Sequence, residues 1–189
     1  TRAALQVPRM RRHATPPSKM RLSRHDPERR HVLWALAGAA LVPALPAMAL
    51  GPPSGPVVLT VSGARRGSND TQAIEFDLAM LQQLPQASYA TRTPWYPQPR
   101  RFSGPLLRDV LGAAGTEGET LRLIALNDYY VDIPASDAMH YDVVVALRLD
   151  DKAMTVRDKG PLLVMYPFDA QPELRTATFY SRAAWQLRS

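Results

Sequence analysis

A series of short apolar runs, rich in β-branched residues and separated by turn signals, constrains the fold of this chain most strongly. Residues 57–61 read Val-Val-Leu-Thr-Val, and residues 143–149 and 162–166 form further apolar runs. Runs of this length that are bounded by turn-forming residues are typical of strands. Two segments with helical spacing, residues 78–84 and 106–111, stand between them. The sequence therefore predicts an α+β domain, β-rich with mixed sheets and a few short helices.

The segment after the third predicted strand is unusually rich in proline. Residues 93–101 read Thr-Pro-Trp-Tyr-Pro-Gln-Pro-Arg-Arg, with three prolines among nine residues. Because proline lacks the backbone N–H that regular structure uses, the sequence predicts an irregular loop here. We expect the next helix to open at Ser103 or Gly104, with Pro105 in its first turn.

The first 49 residues have the pattern of a secretory leader. Arg29-Arg30 precede an apolar run at residues 32–42, and Ala47-Met48-Ala49 follow. A charged region, a short apolar region and an A-x-A site predict a signal peptide that is cleaved after Ala49. The arginine pair also matches a twin-arginine export signal, and an uncleaved membrane anchor is the alternative. The expected organisation is a leader at 1–49, a linker at 50–56 and a domain at 57–189, in a periplasmic protein.

Charge and composition exclude several classes of function for the body of the chain. Residues 1–49 contain nine Lys and Arg against two Asp and Glu, whereas residues 50–189 contain 14 against 15. The body therefore lacks the concentrated positive charge of a nucleic-acid-binding protein. The chain contains no cysteine, and His140 is the only histidine of the body. This composition excludes a ligand cluster of the zinc type.

Three segments of the body follow one another in a characteristic order. They are residues 102–111 (FSGPLLRDVL), 126–134 (LNDYYVDIP) and 157–167 (RDKGPLLVMYP). In this order they resemble the molybdopterin-binding domain of the sulfite oxidase family, and the resemblance extends from about residue 57 to residue 188. It implies the sulfite-oxidase-type fold. In that family a cysteine thiolate ligates the molybdenum, and its place would fall just upstream of Phe102, where Trp95 or a neighbour stands instead.

The resemblance also implies a set of residues around the cofactor cleft of that fold. Aromatic rings with interspersed cations suit a planar or anionic small molecule. A pterin phosphate would need cationic or N–H donors, and Arg157 and Lys159 have the strongest claim because they stand beside Gly160. The predicted ligand- or cofactor-binding residues are Trp95, Tyr96, Arg101, Asp128, Tyr129, Arg157 and Lys159.

Two functions follow from this pattern. The first is a cofactor-free binding module in the cell envelope, which holds a small anionic or planar ligand, or an envelope or membrane protein partner. The alternative is a molybdopterin-dependent oxidoreductase with an atypical metal ligand. The missing cysteine favours the first function, so we expect no cofactor, metal ligand or catalytic residue, with molybdopterin implied by the resemblance alone. The sequence contains no serine-nucleophile, P-loop or dinucleotide-binding motif.

We predict that the exported protein begins at Leu50. The alanines at positions 47 and 49 form the cleavage site, and the apolar run before them is too short to cross a bilayer comfortably. The intact mass of protein purified from the cell envelope checks this prediction. A chain that still begins upstream of Val32 would show an uncleaved anchor instead.

Overall fold

Antiparallel strands form most of the body, as the β-branched runs predict. The computed structural model describes residues 51–67 and 71–189. The strands are β1 (Val57–Arg65), β2 (Thr71–Asp77), β3 (Gln86–Thr93), β4 (Tyr96–Pro105), β5 (Thr116–Glu117), β6 (Thr120–Ile124), β7 (Tyr130–Pro134), β8 (Val144–Ala146), β9 (Arg148–Leu149), β10 (Lys152–Ala153) and β11 (Leu163–Met165). The helices are α1 (Leu78–Gln83), α2 (Leu107–Ala114), α3 (Ala135–His140) and α4 (Ala177–Arg182), with 3₁₀ turns at Val156–Asp158 and Pro172–Leu174. The predicted leader, its export signal and the cleavage site after Ala49 lie outside the described residues.

The strands form four small sheets, with orders β2-β1-β5, β10-β9-β4-β3, β11-β8 and β6-β7. All strand pairs within the described part of the chain are antiparallel. The sheets are therefore mixed in the order of their strands and not in strand direction. Strand β4, for example, lies between β3 and β9. The β-rich α+β architecture with a few short helices is confirmed.

The proline-rich segment is a strand, so the prediction of an irregular loop at residues 93–101 was wrong. Strand β4 begins at Tyr96, pairs Arg100 with Thr91 of β3, and has a register shift near the turn. Pro97 and Pro99 are tolerated because β9 pairs with β4 only at Phe102 and Ser103. At the prolines β4 has β3 as its only paired neighbour, and proline is compatible with such an edge.

The second helix begins later than the sequence predicts, at Leu107 rather than Ser103 or Gly104. Ser103 and Gly104 continue β4 instead, and the backbone N–H of Leu147 donates to the Ser103 carbonyl at 2.8 Å. A side chain at position 104 would collide with the carbonyl oxygen of Val145. Glycine is therefore needed here for the close approach of two backbones, not for the start of a helix.

Asp77 anchors the segment that precedes the domain. It caps α1 through a hydrogen bond from the Met80 N–H at 2.8 Å, as its position before the helix predicts. Its second carboxylate oxygen accepts the backbone N–H groups of Ser54 and Gly55, each at 2.8 Å. These N–H donors, that of Met80 first, lower the pKa of Asp77 to about 2. The carboxylate thus connects residues 54–55, within the predicted linker, to the start of α1.

The core lies between the sheets and the helices. Its largest fully buried side chains include Phe76, Phe102, Tyr166 and Phe168, and β8 and β11 are buried at every position. Complete burial explains why these strands read as continuous apolar runs rather than alternating ones. Within the described residues, no helix combines the length and hydrophobicity that crossing a membrane requires.

We predict that Gly104→Ala destabilises the protein by about 3 kcal/mol, because the added methyl group collides with a backbone carbonyl that cannot rotate away. Urea denaturation measures the change. Gly63→Ala is the matched control, since its methyl group meets Thr116 of β5 at an ordinary 3.6 Å. A Gly104→Ala variant as stable as the Gly63→Ala variant would show that β4 and β8 do not lie this close.

Candidate ligand-binding site

The turn between β3 and β4 brings a tryptophan against the C-terminal part of the chain. Pro94 and Trp95 form this turn, and the half-buried Trp95 ring lies 5.4 Å from the Trp185 ring, centroid to centroid. Tyr180 of α4 meets Trp95 edge-on at 6.1 Å, with an interplanar angle of 82°. Such edge contacts are favoured by aromatic quadrupoles. Two segments that are distant in sequence, the β3–β4 turn and residues 180–185, therefore meet at one ring.

Lys159 lies over the same aromatic surface. It follows the 3₁₀ turn Val156–Asp158 in a left-handed conformation, with φ of 72°. Its ammonium nitrogen is 4.3 Å from the centroid of Trp185 and 5.6 Å from that of Tyr96. Both distances fall within the range of cation–π attraction. We call Trp95, Tyr96, Lys159 and Trp185 the aromatic–lysine site.

The loop that presents Lys159 is held by its backbone. Gly160 is buried, and a side chain there would collide with Met154. The Gly160 N–H donates to the Thr155 carbonyl at 2.8 Å, and the Gln186 N–H donates to the Lys159 carbonyl at 2.9 Å. The second bond places Lys159 directly beside Trp185. The backbone of Lys159 is therefore fixed by main-chain contacts that no ligand is needed to make, and its side chain extends from there to the two rings.

A second cation borders the site but is already neutralised. The Arg100 guanidinium lies 5.1 Å from the Tyr96 centroid and forms an ion pair with Asp150. Asp150 also accepts the Arg101 backbone N–H at 2.9 Å, and this bond, followed by Arg100, lowers the pKa of the Asp150 carboxyl. Burial raises the pKa of the Tyr96 hydroxyl, which therefore stays protonated at neutral pH.

Lys159 differs from Arg100 in having no carboxylate partner. Among the described residues its ammonium group forms no ion pair within 4.0 Å and no hydrogen bond. The side chain is half-buried between two rings. A half-buried cation that forms no ion pair of its own can gain a counter-charge from a bound anion. Two carboxylates lie in the neighbourhood, since the charges of Asp158 and Asp150, after burial, also raise the pKa of Tyr96.

The turn at Trp95 also contains two unpaired polar atoms. The indole Nε1 of Trp95 and the Oγ1 of Thr93 are buried without a hydrogen-bond partner among the described residues. Buried donors of this kind are rare and are costly to leave unpaired. They mark the turn as a place where polar groups are retained at some cost in stability.

Three of the seven predicted residues come together in this site: Trp95, Tyr96 and Lys159. Arg101 lies next to it, but its side chain is exposed, and Arg100 is the arginine that faces Tyr96. Side chains alternate between the two faces of a strand, so Arg100 shares a face with Phe102 and Arg101 does not. Arg157 is exposed on the 3₁₀ turn before Lys159 and makes no ion pair among the described residues.

Asp128 and Tyr129 lie outside the site, at the tip of the β6–β7 hairpin. Asp128 has φ of 64° and accepts a hydrogen bond from Arg188 at 2.8 Å, and the Tyr129 side chain is exposed. Gln186 connects this hairpin to the site, since its carbonyl accepts the Leu126 N–H at 2.9 Å. The predicted Asn127-Asp128 turn is present, and it is a neighbour of the site rather than a part of it.

Trp185, Tyr180 and Arg100 were not predicted as site residues. Trp185 is 39% exposed, although it belongs to a segment that otherwise closes the core. No spacing in the sequence relates it to Trp95. Arg100 could have been identified from strand alternation with Phe102, had residues 96–105 been recognised as a strand.

A buried ion pair holds α4, and with it Tyr180, in place. The Asp137 carboxylate of α3 accepts hydrogen bonds from the Tyr166 hydroxyl at 2.8 Å and from Arg182 at 2.7 Å. Burial, followed by the bond to Asp137, raises the pKa of Tyr166. Both bonds go to Oδ2 of the buried carboxylate, which thereby joins α3, α4 and Tyr166 and acts as a structural support.

No group of three or more His, Cys, Asp or Glu side chains that could hold a metal occurs within residues 51–67 and 71–189. Neither a scan against models of known protein families nor a search of curated proteins finds a match for this chain. The aromatic–lysine site is the feature of the described residues that bears most directly on function.

Proposed function

We propose that this protein is an exported, cofactor-free binding module whose aromatic–lysine site holds a small planar anion. The observation that carries the proposal is the Lys159 ammonium group, which lies over Trp185 and Tyr96 with no carboxylate partner among the described residues. An anionic group on a ligand would supply the missing counter-charge. A planar body would stack on the partly exposed Trp185 ring.

The energetics favour a ligand role for Lys159 over a purely structural one. A cation–π contact at an exposed site is worth about 0.5–1 kcal/mol. A hydrogen bond to a charged group contributes about 1.5–3 kcal/mol. The contact of the Lys159 ammonium group with the rings is therefore weaker than a hydrogen bond between the same group and an anion. The main-chain bonds around Gly160 pre-organise the lysine, which lowers the entropic cost of binding.

The proposal also includes the sulfite-oxidase-type fold, which the β-rich architecture and the order of the three segments support. The residues do not fit the metal that this fold usually carries. The whole chain contains no cysteine, and the expected place of the thiolate is a turn where Trp95 packs against Tyr180 and Trp185. Molybdenum in this family needs a protein sulfur, and an indole offers none. We therefore derive no redox step for this chain. Within the described residues, no group of three or more His, Cys, Asp or Glu side chains stands ready to replace the thiolate.

A protein partner in the envelope is the second candidate for this surface. Leu126 is 44% exposed, Val156 52% and Trp185 39%, and Gln186 connects the three. Its carbonyl accepts the Leu126 N–H, and its side-chain amide donates to the Val156 carbonyl at 2.8 Å. Exposed apolar residues around a cation are a composition that protein interfaces use. The export signal that the sequence predicts would bring the protein to the periplasm, where either occupant would be met.

We predict that 6-carboxypterin, a planar anion, binds the protein more tightly than pterin, which is uncharged at neutral pH. Quenching of tryptophan fluorescence measures both, because Trp95 and Trp185 are the only tryptophans after residue 49. Lys159→Met keeps the aliphatic stem and removes the charge. We expect it to weaken binding of 6-carboxypterin by about 1.5–3 kcal/mol, which is tenfold or more, and to leave pterin binding unchanged.

Lys152→Met is the matched control, because Lys152 is the only other lysine of the body and its side chain is exposed on β10. It should bind both compounds like the parent. Equal affinity for the two pterins, or equal binding by the Lys159→Met variant and the parent, would contradict the assignment of Lys159 as the anion contact. The free energy of unfolding of both variants, obtained from thermal melts, should stay within about 1 kcal/mol of that of the parent, since both substitutions replace charges that solvent can reach.

A further inference from the structure

A second concave region lies apart from the aromatic–lysine site. It is a groove of about 820 Å³ between β1, α2 and β6, and none of the four residues of the aromatic–lysine site lines it. Its walls include Val61, Leu111, Leu121 and Ile124, which are all half-buried. The volume falls within the range of small-molecule sites, about 300–1,000 Å³.

The apolar lining of this groove is entirely aliphatic. Leucine, isoleucine, valine, alanine and methionine side chains contribute it, and no phenylalanine, tyrosine or tryptophan is present among the lining residues. The aromatic–lysine site has the opposite composition. Without rings the groove offers no face for stacking, so a planar ligand gains nothing specific there. A flexible aliphatic chain can follow such a surface.

The floor of the groove reaches the core. Leu59, Val110, Leu123 and Leu187 line it and are only 1–6% exposed. Met139 lies at its rim and is 67% exposed. A chain that enters the groove would therefore exchange water for apolar contacts along its length, and the gain should grow with each methylene that it buries.

The charged groups around the groove leave no free cation for an anionic head group. Arg66 pairs with Glu117 at 2.7 Å, Arg108 with Asp142 at 2.9 Å, and Arg122 with Asp132 at 2.8 Å. These are the only three cations among the lining residues that the structure describes. Glu119 also lines the groove and forms no ion pair among the described residues. Recognition in the groove therefore rests on the aliphatic chain, and a negative head group finds no unpaired cation among the described lining residues.

We propose that this groove binds the single aliphatic chain of an amphiphile, such as the acyl chain of a lipid. The aliphatic lining and the buried floor favour this occupant. The groove is separate from the aromatic–lysine site, so one protein can hold both ligands at once.

Isothermal titration with octyl, decyl and dodecyl maltoside, each below its critical micelle concentration, tests the proposal. The affinity should rise about fourfold for each methylene, until the chain fills the groove. Decanoate should bind no more tightly than decyl maltoside, because the described lining residues offer its carboxylate no unpaired cation and include the unpaired carboxylate of Glu119. An affinity that does not depend on chain length, or that requires the negative charge, would overturn the proposal.

Gly112 allows a sharp structural control. It lies on α2 and lines the groove, and a side chain added there meets no atom within 4 Å. Gly112→Trp should fill the groove and reduce dodecyl maltoside binding by tenfold or more, without affecting 6-carboxypterin binding. Gly112→Ala adds only a methyl group and should bind dodecyl maltoside like the parent. Parent-like binding by Gly112→Trp would show that the detergent binds elsewhere.

A second variant and a measurement of oligomeric state test the two remaining alternatives, a Gly112→Trp variant that does not fold and a second copy of the chain in the groove. If Gly112→Trp does not fold, Leu111→Gln replaces it, because it puts a polar group on the groove wall and should weaken dodecyl maltoside binding by about tenfold. Leu111→Gln binding like the parent overturns the proposal. Sedimentation velocity tests for a second copy in the groove: a dimer that Gly112→Ala keeps and Gly112→Trp or Leu111→Gln dissolves would show that protein, not an aliphatic chain, covers it.

Discussion

The approach of β4 to the buried strand segment around Val145 is the constraint on which the rest of the structure depends. Only a residue without a side chain fits at Gly104, because the Val145 carbonyl occupies the place of its Cβ. The same approach lets the Leu147 N–H reach the Ser103 carbonyl. Strand β4 can then pair with β3 along its length and with β9 at Phe102 and Ser103. The first half of β4, which pairs only with β3, contains Tyr96 and Arg100. The positions of these two site residues therefore depend on this contact.

Main-chain contacts and a buried ion pair assemble the site before any ligand arrives. Lys159 is placed by bonds at its own carbonyl and at Gly160, and α4 is placed by Asp137 and Arg182. The rings and the ammonium group therefore meet at low entropic cost to a ligand. The groove on β1, α2 and β6 has the opposite chemistry, with aliphatic walls and no unpaired cation among the described lining residues. We therefore propose two separate ligand surfaces on one module, one for planar anions and one for aliphatic chains.

Local features of the structure could be predicted from the sequence, and non-local ones could not. The Asp77 cap, the Asn127-Asp128 turn and the buried strands β8 and β11 depend on neighbouring residues, and their patterns predict them. The prediction of a loop for the proline-rich segment was wrong because the number of prolines does not show which side of a strand is unpaired. Arg101 was chosen in place of Arg100 for the same reason, since the face of an unrecognised strand is unknown. Trp185 was missed because its contact with Trp95 spans half of the chain.

Molybdenum analysis of protein purified from the cell envelope, after growth with molybdate, tests the central claim most directly. A molybdoenzyme from the same cells serves as the positive control for cofactor supply. Because the chain has no cysteine, and the resemblance places Trp95 or a neighbour where the thiolate is expected, we predict far less than one molybdenum atom per chain. About one molybdenum atom per chain would contradict the account and would identify the protein as an oxidoreductase with a new metal ligand.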